Sequence, residues 1–285
     1  MKQDSLQLMG LLKVVVQIWH PGAVYSIMGL SGYGKSIFLT NFARDIWERG
    51  NNVLYISTEM NQEETFERII KSKYKSRNLD EVLLKMEGQP FPSSKIEVIK
   101  VHPNDTSCDD IQILIDNLDW KPEVLVVDYA DELKSHEKTS SEYEAQGVVY
   151  AGLKKLAEIN NLPVITATQT NRAAEDSENG GTKKWVGMSA IADSSKKIRL
   201  VDMLFSITQS SNDKVGNILN LLVLKNRFGQ SNTKISFTIN YQTMRLEELS
   251  QPATTPTLKV KVSTPAKEEI NMFPAEKVLM GVNNE

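Results

Sequence analysis

One octapeptide limits what this chain can fold into more than any other feature: Gly29-Leu30-Ser31-Gly32-Tyr33-Gly34-Lys35-Ser36. It satisfies the phosphate-loop pattern G-x-x-x-x-G-K-[ST] at every constrained position, a pattern that carries weight only between a strand and a helix. Both flanks fit. Ala23-Val24-Tyr25-Ser26-Ile27-Met28 is a buried-strand run, and Ile37-Phe38-Leu39-Thr40-Asn41-Phe42-Ala43-Arg44 continues as an apolar-faced helix. Gly29, Gly32 and Gly34 let the backbone curl so that successive N–H groups, Ser31's among them, point at one phosphate. The helix N-terminus adds partial positive charge. Lys35 is placed to neutralise the β- and γ-phosphates, and the Ser36 hydroxyl to ligate Mg²⁺. The cofactors expected are therefore ATP and Mg²⁺.

Composition sets the outer bounds. The chain of 285 residues, 40% hydrophobic, is long enough for one large domain with a sizeable core. A net charge of −3 gives no global field that advertises nucleic acid, although local basic loops can bind it. The single cysteine, Cys108, excludes an internal disulfide framework and fits a reducing cytoplasm. His20, His102 and His136 are scattered and show no metal-ligand spacing. No run has the length of a transmembrane helix, so no membrane partner is expected.

Strand and helix signals alternate through the first two thirds. Strands are expected at 53–57, 96–101, 123–128 and 163–168. Helices are expected from Gln62 to Tyr74 (capped by Asn61, with Glu64 three residues on), from Leu79 to Met86, from Thr106 or Ser107 to about Leu118, and from Ser141 to Asn160. In the last of these, Val148, Leu153, Leu156 and Ile159 are taken as apolar-face positions. Residues 171–187 are polar and glycine-bearing and predict a loop; Ser189 to Leu200 predicts a helix. β runs follow at 203–208, 218–225 and 234–240, with a turn at Ser210–Lys214 between the first two. The fold class expected is α/β, a mostly parallel central sheet with antiparallel C-terminal hairpins. Residues 1–19 form a docking or linker segment, 20–249 the motor domain, and 250–285 a Pro/Thr/Lys/Glu-rich flexible tail.

Four positions add chemistry to the loop. Asp128 ends an apolar strand, where a carboxylate holds Mg²⁺ through its hydration shell. Glu59 and Gln169 each follow a strand that ends at the same crevice of a parallel sheet. A carboxylate there can deprotonate an attacking water. An amide there can sense the γ-phosphate. Glu59 alone reads equally as a helix N-terminal acid, and Gln169 alone as a polar strand end. Lys225-Asn226-Arg227 ends a late strand, where cations can reach a neighbouring subunit's nucleotide.

In this order, the pieces resemble the RecA-like motor domain of DnaB-type replicative helicases, with a likeness that extends to those of T-even phages. The resemblance rests on Gly34-Lys35-Ser36, Asn52 through Met60 (Asn-Val-Leu-Tyr-Ile-Ser-Thr-Glu-Met), Lys121 through Tyr129, Thr168-Gln169, Met188 through Ser194, and Lys225-Asn226-Arg227-Phe228-Gly229. It implies that Glu59 is the catalytic carboxylate, Gln169 the γ-phosphate sensor, and Arg227 with Lys225 the finger acting in trans. It also implies a hexameric ring, 5′-to-3′ movement on single-stranded DNA, and contacts with primase, loader or single-strand-binding protein. The loops after Asp128 and Gln169, with Lys134, Lys138, Arg172, Lys183 and Lys184, would track DNA in the host cytoplasm. The family's N-terminal domain and linker helix have no counterpart in the 28 residues before the loop. A filament-forming RecA-type recombinase and a nucleotide-gated scaffold are the alternatives.

Overall fold

The computed structural model describes residues 19–169 and 195–249. A nine-stranded sheet is built from β1 (Val24–Gly29), β2 (Val53–Ser57), β3 (Ile96–Lys100), β4 (Val124–Asp128), β5 (Val164–Gln169), β6 (Met203–Thr208), β7 (Ile218–Asn226), β8 (Lys234–Asn240) and β9 (Arg245–Glu248), in the spatial order β3-β2-β4-β5-β1-β6-β7-β8-β9. The six strands from β3 to β6 run parallel, and β6 to β9 continue as antiparallel neighbours. The helices are α1 (Lys35–Glu48), α2 (Gln62–Tyr74), α3 (Leu79–Met86), α4 (Cys108–Asp116), α5 (Glu142–Asn160), α6 (Ser195–Leu200) and α7 (Ser211–Val215).

The parallel strands read as apolar runs because both faces of the sheet are covered. Side chains alternate between two cores. Tyr25, Ile27, Val124 and Val126 face one side with Phe38, Phe42 and Ile46 of α1. Val24, Met28, Leu125 and Val127 face the other with Ile111 of α4 and Val149, Leu153 and Leu156 of α5. Caps define where helices begin: Asn61 accepts the Glu64 N–H, Ser107 forms a reciprocal capping box with Asp110, and Ser141 accepts the Glu144 N–H.

Three expectations change. Ser210–Lys214 is not a simple turn: Ser210 and Asp213 form a capping box that starts the short helix α7. Ile159 is 61% exposed, and Val149, Tyr150 and Ala157 fill the inner face of α5 instead, a shift in helical phase. β9 carries too little apolar signal in Arg-Leu-Glu-Glu to be read as a strand, and pairing with β8 supplies what its sequence does not. The helix expected from Ser189 is described from Ser195 onward. The 171–187 loop, the N-terminal segment and the tail lie outside the described residues. Among the described residues no helix is long and apolar enough to cross a membrane.

Candidate active site

β1 delivers the chain to the phosphate loop at the carboxyl edge of the sheet, and β2, β4 and β5 end beside it. Ser57 pairs with Asp128, and Gly29 pairs with Gln169. Residues distant in sequence are thereby set at one crevice, where open parallel sheets bind ligands. Within the loop, Gly32 (φ 79°) and Gly34 (φ 87°) adopt the left-handed conformation that glycine alone takes without strain. At Gly34 a Cβ would also meet Leu219 Cδ1 at 3.3 Å.

The start of α1 differs from its neighbours. α2, α3, α4, α5 and α7 are each capped by an Asn or Ser side chain, and each has acids in its first turn. α1 begins at Gly34 with no side-chain cap and no acid in its first turn. The N–H groups that a cap would engage remain available to an anion, supported by the helix dipole.

Lys35 is buried, and its Nζ donates to the Gly29 and Leu30 carbonyls, both at 3.0 Å. Burial pushes its pKa down, and Glu59, Asp131 and Asp128 oppose that fall. Ser36 Oγ donates to Asp128 Oδ1 at 3.1 Å, and Tyr55 OH donates to Asp128 Oδ2 at 2.8 Å. Burial raises the Asp128 pKa, against the hydrogen bonds from Tyr55 and Ser36 and the charge of Lys35. A hydroxyl and a buried carboxylate in contact form a hard-oxygen pair suited to Mg²⁺ shared with phosphates. Among the described residues no cluster of three His, Cys, Asp or Glu could cage a metal unaided.

Glu59 is exposed just past β2, and among charged groups it acts most strongly on Lys35. Thr58 fixes its place: the Thr58 N–H and hydroxyl donate to the Asp128 carbonyl at 2.8 and 2.9 Å, and Thr58 Oγ1 accepts the Tyr129 N–H at 3.1 Å. The Asp128–Tyr129 peptide is cis. Gln169 is exposed at the end of β5, and its N–H donates to Asp131 Oδ2 at 2.8 Å.

Lys225 and Arg227 stand elsewhere. β7 runs antiparallel to β6, so its Asn226 end lies beside Met203, at the amino edge of the sheet. Leu219, whose Cδ1 lies 3.3 Å from where a Cβ on Gly34 would stand, is seven strand steps from Asn226, about 23 Å at the usual rise. Arg227 is 69% exposed and pairs at 3.0 Å with the buried Asp202. Asp202 also accepts from Lys154 at 2.7 Å and from the Val24 N–H at 2.9 Å. Lys225 Nζ donates to the Ile198 and Val201 carbonyls at 2.8 and 2.5 Å, so it closes the end of α6 within its own subunit.

Of the basic loop residues, Lys134 lies 4.0 Å from Asp105, and Lys138 is exposed. Arg172, Lys183 and Lys184 lie outside the described residues. His20 stacks on Phe228, with ring centroids 3.9 Å apart, and His136 is 3.6 Å from Glu137. Burial pushes the Cys108 thiol up to about 12.

Sequence reasoning missed Tyr55, Thr58, Asp131, Lys197 and Asp202. The one available signal was a polar atom inside or at the end of an apolar strand, as at Tyr55 and Thr58.

A glycine loop on an uncapped helix, a serine and a strand-end aspartate in contact, and strands β2 and β5 ending beside them define a P-loop core of the RecA-like α/β type. Within that class the chain belongs to the family described as the DnaB-like helicase C-terminal domain, which it matches over residues 9–248. It is 24% identical over 240 residues to the DnaB-like replicative helicase of Enterobacteria phage T4, covering 78% of this chain and 49% of that protein. The chain thus spans about half the length of that curated relative. Among solved structures, a DnaB-like replicative helicase studied with primase superposes with a TM-score of 0.71 at 16% identity, covering 87% of this chain and 66% of the other. A second solved structure, an ATPase domain, gives 0.70 at 16% identity, covering 87% and 94%. The RadB recombinase gives 0.54 at 18% identity, covering 84% and 96%. These structural likenesses speak to the fold.

Proposed function

We propose that this chain is an ATP-driven replicative DNA helicase motor, with residues 20–249 as the motor domain. The observation that carries the reading is the separation of two functional sets on one sheet. Lys35, Ser36, Asp128, Glu59 and Gln169 gather at the carboxyl edge, and Arg227 stands about 23 Å away at the amino edge. An arginine side chain reaches roughly 7 Å, so Arg227 serves a nucleotide only when that nucleotide belongs to a neighbour. Head-to-tail contact then completes each site, and the family relationship favours a closed ring of six.

The loop N–H groups and Lys35 bind and orient the phosphates. Ser36 and Asp128 would hold Mg²⁺, which would supply charge neutralisation for the phosphates. Glu59 accepts the proton of the attacking water. Gln169 contacts the γ-phosphate and reports its loss to the chain that follows β5. Arg227 stabilises the charge that develops on the transferred phosphoryl group. Lys225, engaged on α6, acts on the shape of the Arg227 turn.

The substrate track is single-stranded DNA, moved 5′ to 3′ in the cytoplasm, with Lys134, Lys138, Arg172, Lys183 and Lys184 as its candidate contacts. Primase, a loader and single-strand-binding protein are the candidate partners, and residues 1–19 and 250–285 the candidate docking segments. The likeness to RadB keeps a filament-forming recombinase as the second reading; a ring in electron micrographs decides against it. The first test is steady-state ATP hydrolysis with and without single-stranded DNA. Strong DNA stimulation, abolished by Glu59→Gln, is the expected result. Hydrolysis indifferent to both DNA and Glu59→Gln would overturn the assignment.

A further inference from the structure

One half-buried charged cluster beside the phosphate loop supplies no reacting group to the chemistry above. Asp131 stands in a short 3-10 turn, Ala130–Glu132, just past β4. Its Oδ1 lies 2.8 Å from Lys197 Nζ, and the two side chains are only 15% and 14% exposed. Oδ2 accepts from the Thr168 hydroxyl at 2.8 Å and from the Gln169 N–H at 2.8 Å. Lys197 Nζ also donates to Thr168 Oγ1 at 3.3 Å and lies 5.6 Å from the Tyr150 ring centre. From the other side, Gln146 Nε2 donates to the Asp131 carbonyl at 2.9 Å.

With these donors the carboxylate has little acceptor capacity left for water. It therefore does not act as a second proton acceptor beside Glu59. Its charge also acts on Lys35, and its direct contact at the crevice is with Gln169, whose backbone pairs with Gly29, the first residue of the loop.

We propose that the Asp131–Lys197 ion pair is the positioning device for Gln169, locking the end of β5 against α6 so that the amide meets the γ-phosphate in one geometry. The proposal rests on the reading of Gln169 as the phosphate-facing amide. A largely enclosed ion pair suits this task because losing either partner leaves a poorly solvated charge, which favours the locked arrangement. Asp131 and Lys197 are positioning residues that act through Gln169.

The test is a kinetic comparison of Lys197→Met, Lys197→Arg, Asp131→Asn, the uncharged double variant Asp131→Asn/Lys197→Met, and Gln169→Ala, each assayed for kcat and KM with single-stranded DNA and each checked for its melting temperature. Lys197→Met is expected to lower kcat roughly tenfold to a hundredfold, the cost of a misplaced reacting geometry, while KM for ATP stays within about twofold. Lys197→Arg retains most of kcat. The double variant restores thermal stability and is no slower than the worse single variant, because the pair acts as a unit. A folded Lys197→Met or double variant with wild-type kcat overturns the proposal, as does a rise in KM at unchanged kcat. Gln169→Ala separates the two levels. If it too keeps wild-type kcat, the reading of Gln169 fails and the positioning proposal falls with it. If it is impaired while the ion-pair variants are not, the positioning proposal alone fails.

Discussion

Replacing Arg227 by Ala separates a shared site from a self-contained one. The side chain is 69% exposed, and its ion pair with Asp202 is therefore worth no more than about 1 kcal/mol. Asp202 keeps Lys154 and the Val24 N–H as partners, so the variant is expected to fold with nearly unchanged stability. The phosphate loop is about 23 Å from the Arg227 turn along β7, so separated subunits should bind a fluorescent ATP analogue as the parent does. Assembled, the same variant loses a group worth roughly a thousandfold or more in turnover. Mixing makes the test stringent. Glu59→Ala subunits are inactive but carry an intact arginine; Arg227→Ala subunits are inactive but carry an intact carboxylate. In a random equal mixture, about a quarter of head-to-tail interfaces pair the two intact groups, and hydrolysis should return in that proportion. Demonstrably mixed assemblies with no recovery would refute the shared site. So would weakened analogue binding by isolated Arg227→Ala subunits.

Further outcomes follow from other contacts. Glu59→Gln should retain nucleotide binding by calorimetry while turnover drops about a hundredfold to ten-thousandfold. Tyr55→Phe removes the hydroxyl 2.8 Å from Asp128 Oδ2. It should leave the fold intact but raise the Mg²⁺ concentration needed for half-maximal hydrolysis about tenfold, checked by a Mg²⁺ titration and by direct Mn²⁺ binding. Gly152→Ala places a methyl 2.8 Å from Cys108 Cβ and Sγ. Overpacking of about 1–3 kcal/mol should outweigh the ~1 kcal/mol of added helix propensity, read as a lower urea midpoint. Burial pushes the Asp202 carboxyl up, but Lys154, the Val24 N–H and Arg227 together hold its pKa below the ordinary 3.8. Stability from this group is present above that value and is lost as pH falls through the depressed one. Asp202→Asn should therefore flatten the acid limb of the stability profile measured by denaturant melts.

Local signals carried most of the architecture. Asn61, Ser107 and Ser141 mark helix starts by side-chain chemistry that is complete within four residues, and each caps the helix expected of it. The strands were legible because burial on both faces leaves unbroken apolar runs, and Asp128 stands out where such a run ends in a charge. The phosphate loop is local for the same reason. What stayed hidden is non-local. Asp131 and Lys197 are far apart in sequence and meet only because β4, β5 and α6 converge. In the sequence Asp131 is one acid among Asp128, Asp131 and Glu132. The antiparallel reversal at β7 is expected from the sequence, but the partnership of Arg227 with Asp202 depends on the register that sets Asn226 beside Met203, which no periodicity encodes. Ile159 falls outside the buried stripe because a helical stripe read from sequence has an uncertain phase at its edges.

The opposition of the two sheet edges has an arithmetical consequence under the shared-site mechanism. A two-fold dimer would complete both sites only through one self-complementary patch spanning both edges of the sheet, whereas head-to-tail contact uses one edge of each subunit. Subunits joined head to tail form a queue. A row of n subunits left open holds n − 1 complete sites, with one bare phosphate loop at one end and one idle arginine at the other. Closing the row adds a site without adding a subunit. Dilution acts as an off switch, because every dissociation removes a working interface while both separated chains remain folded.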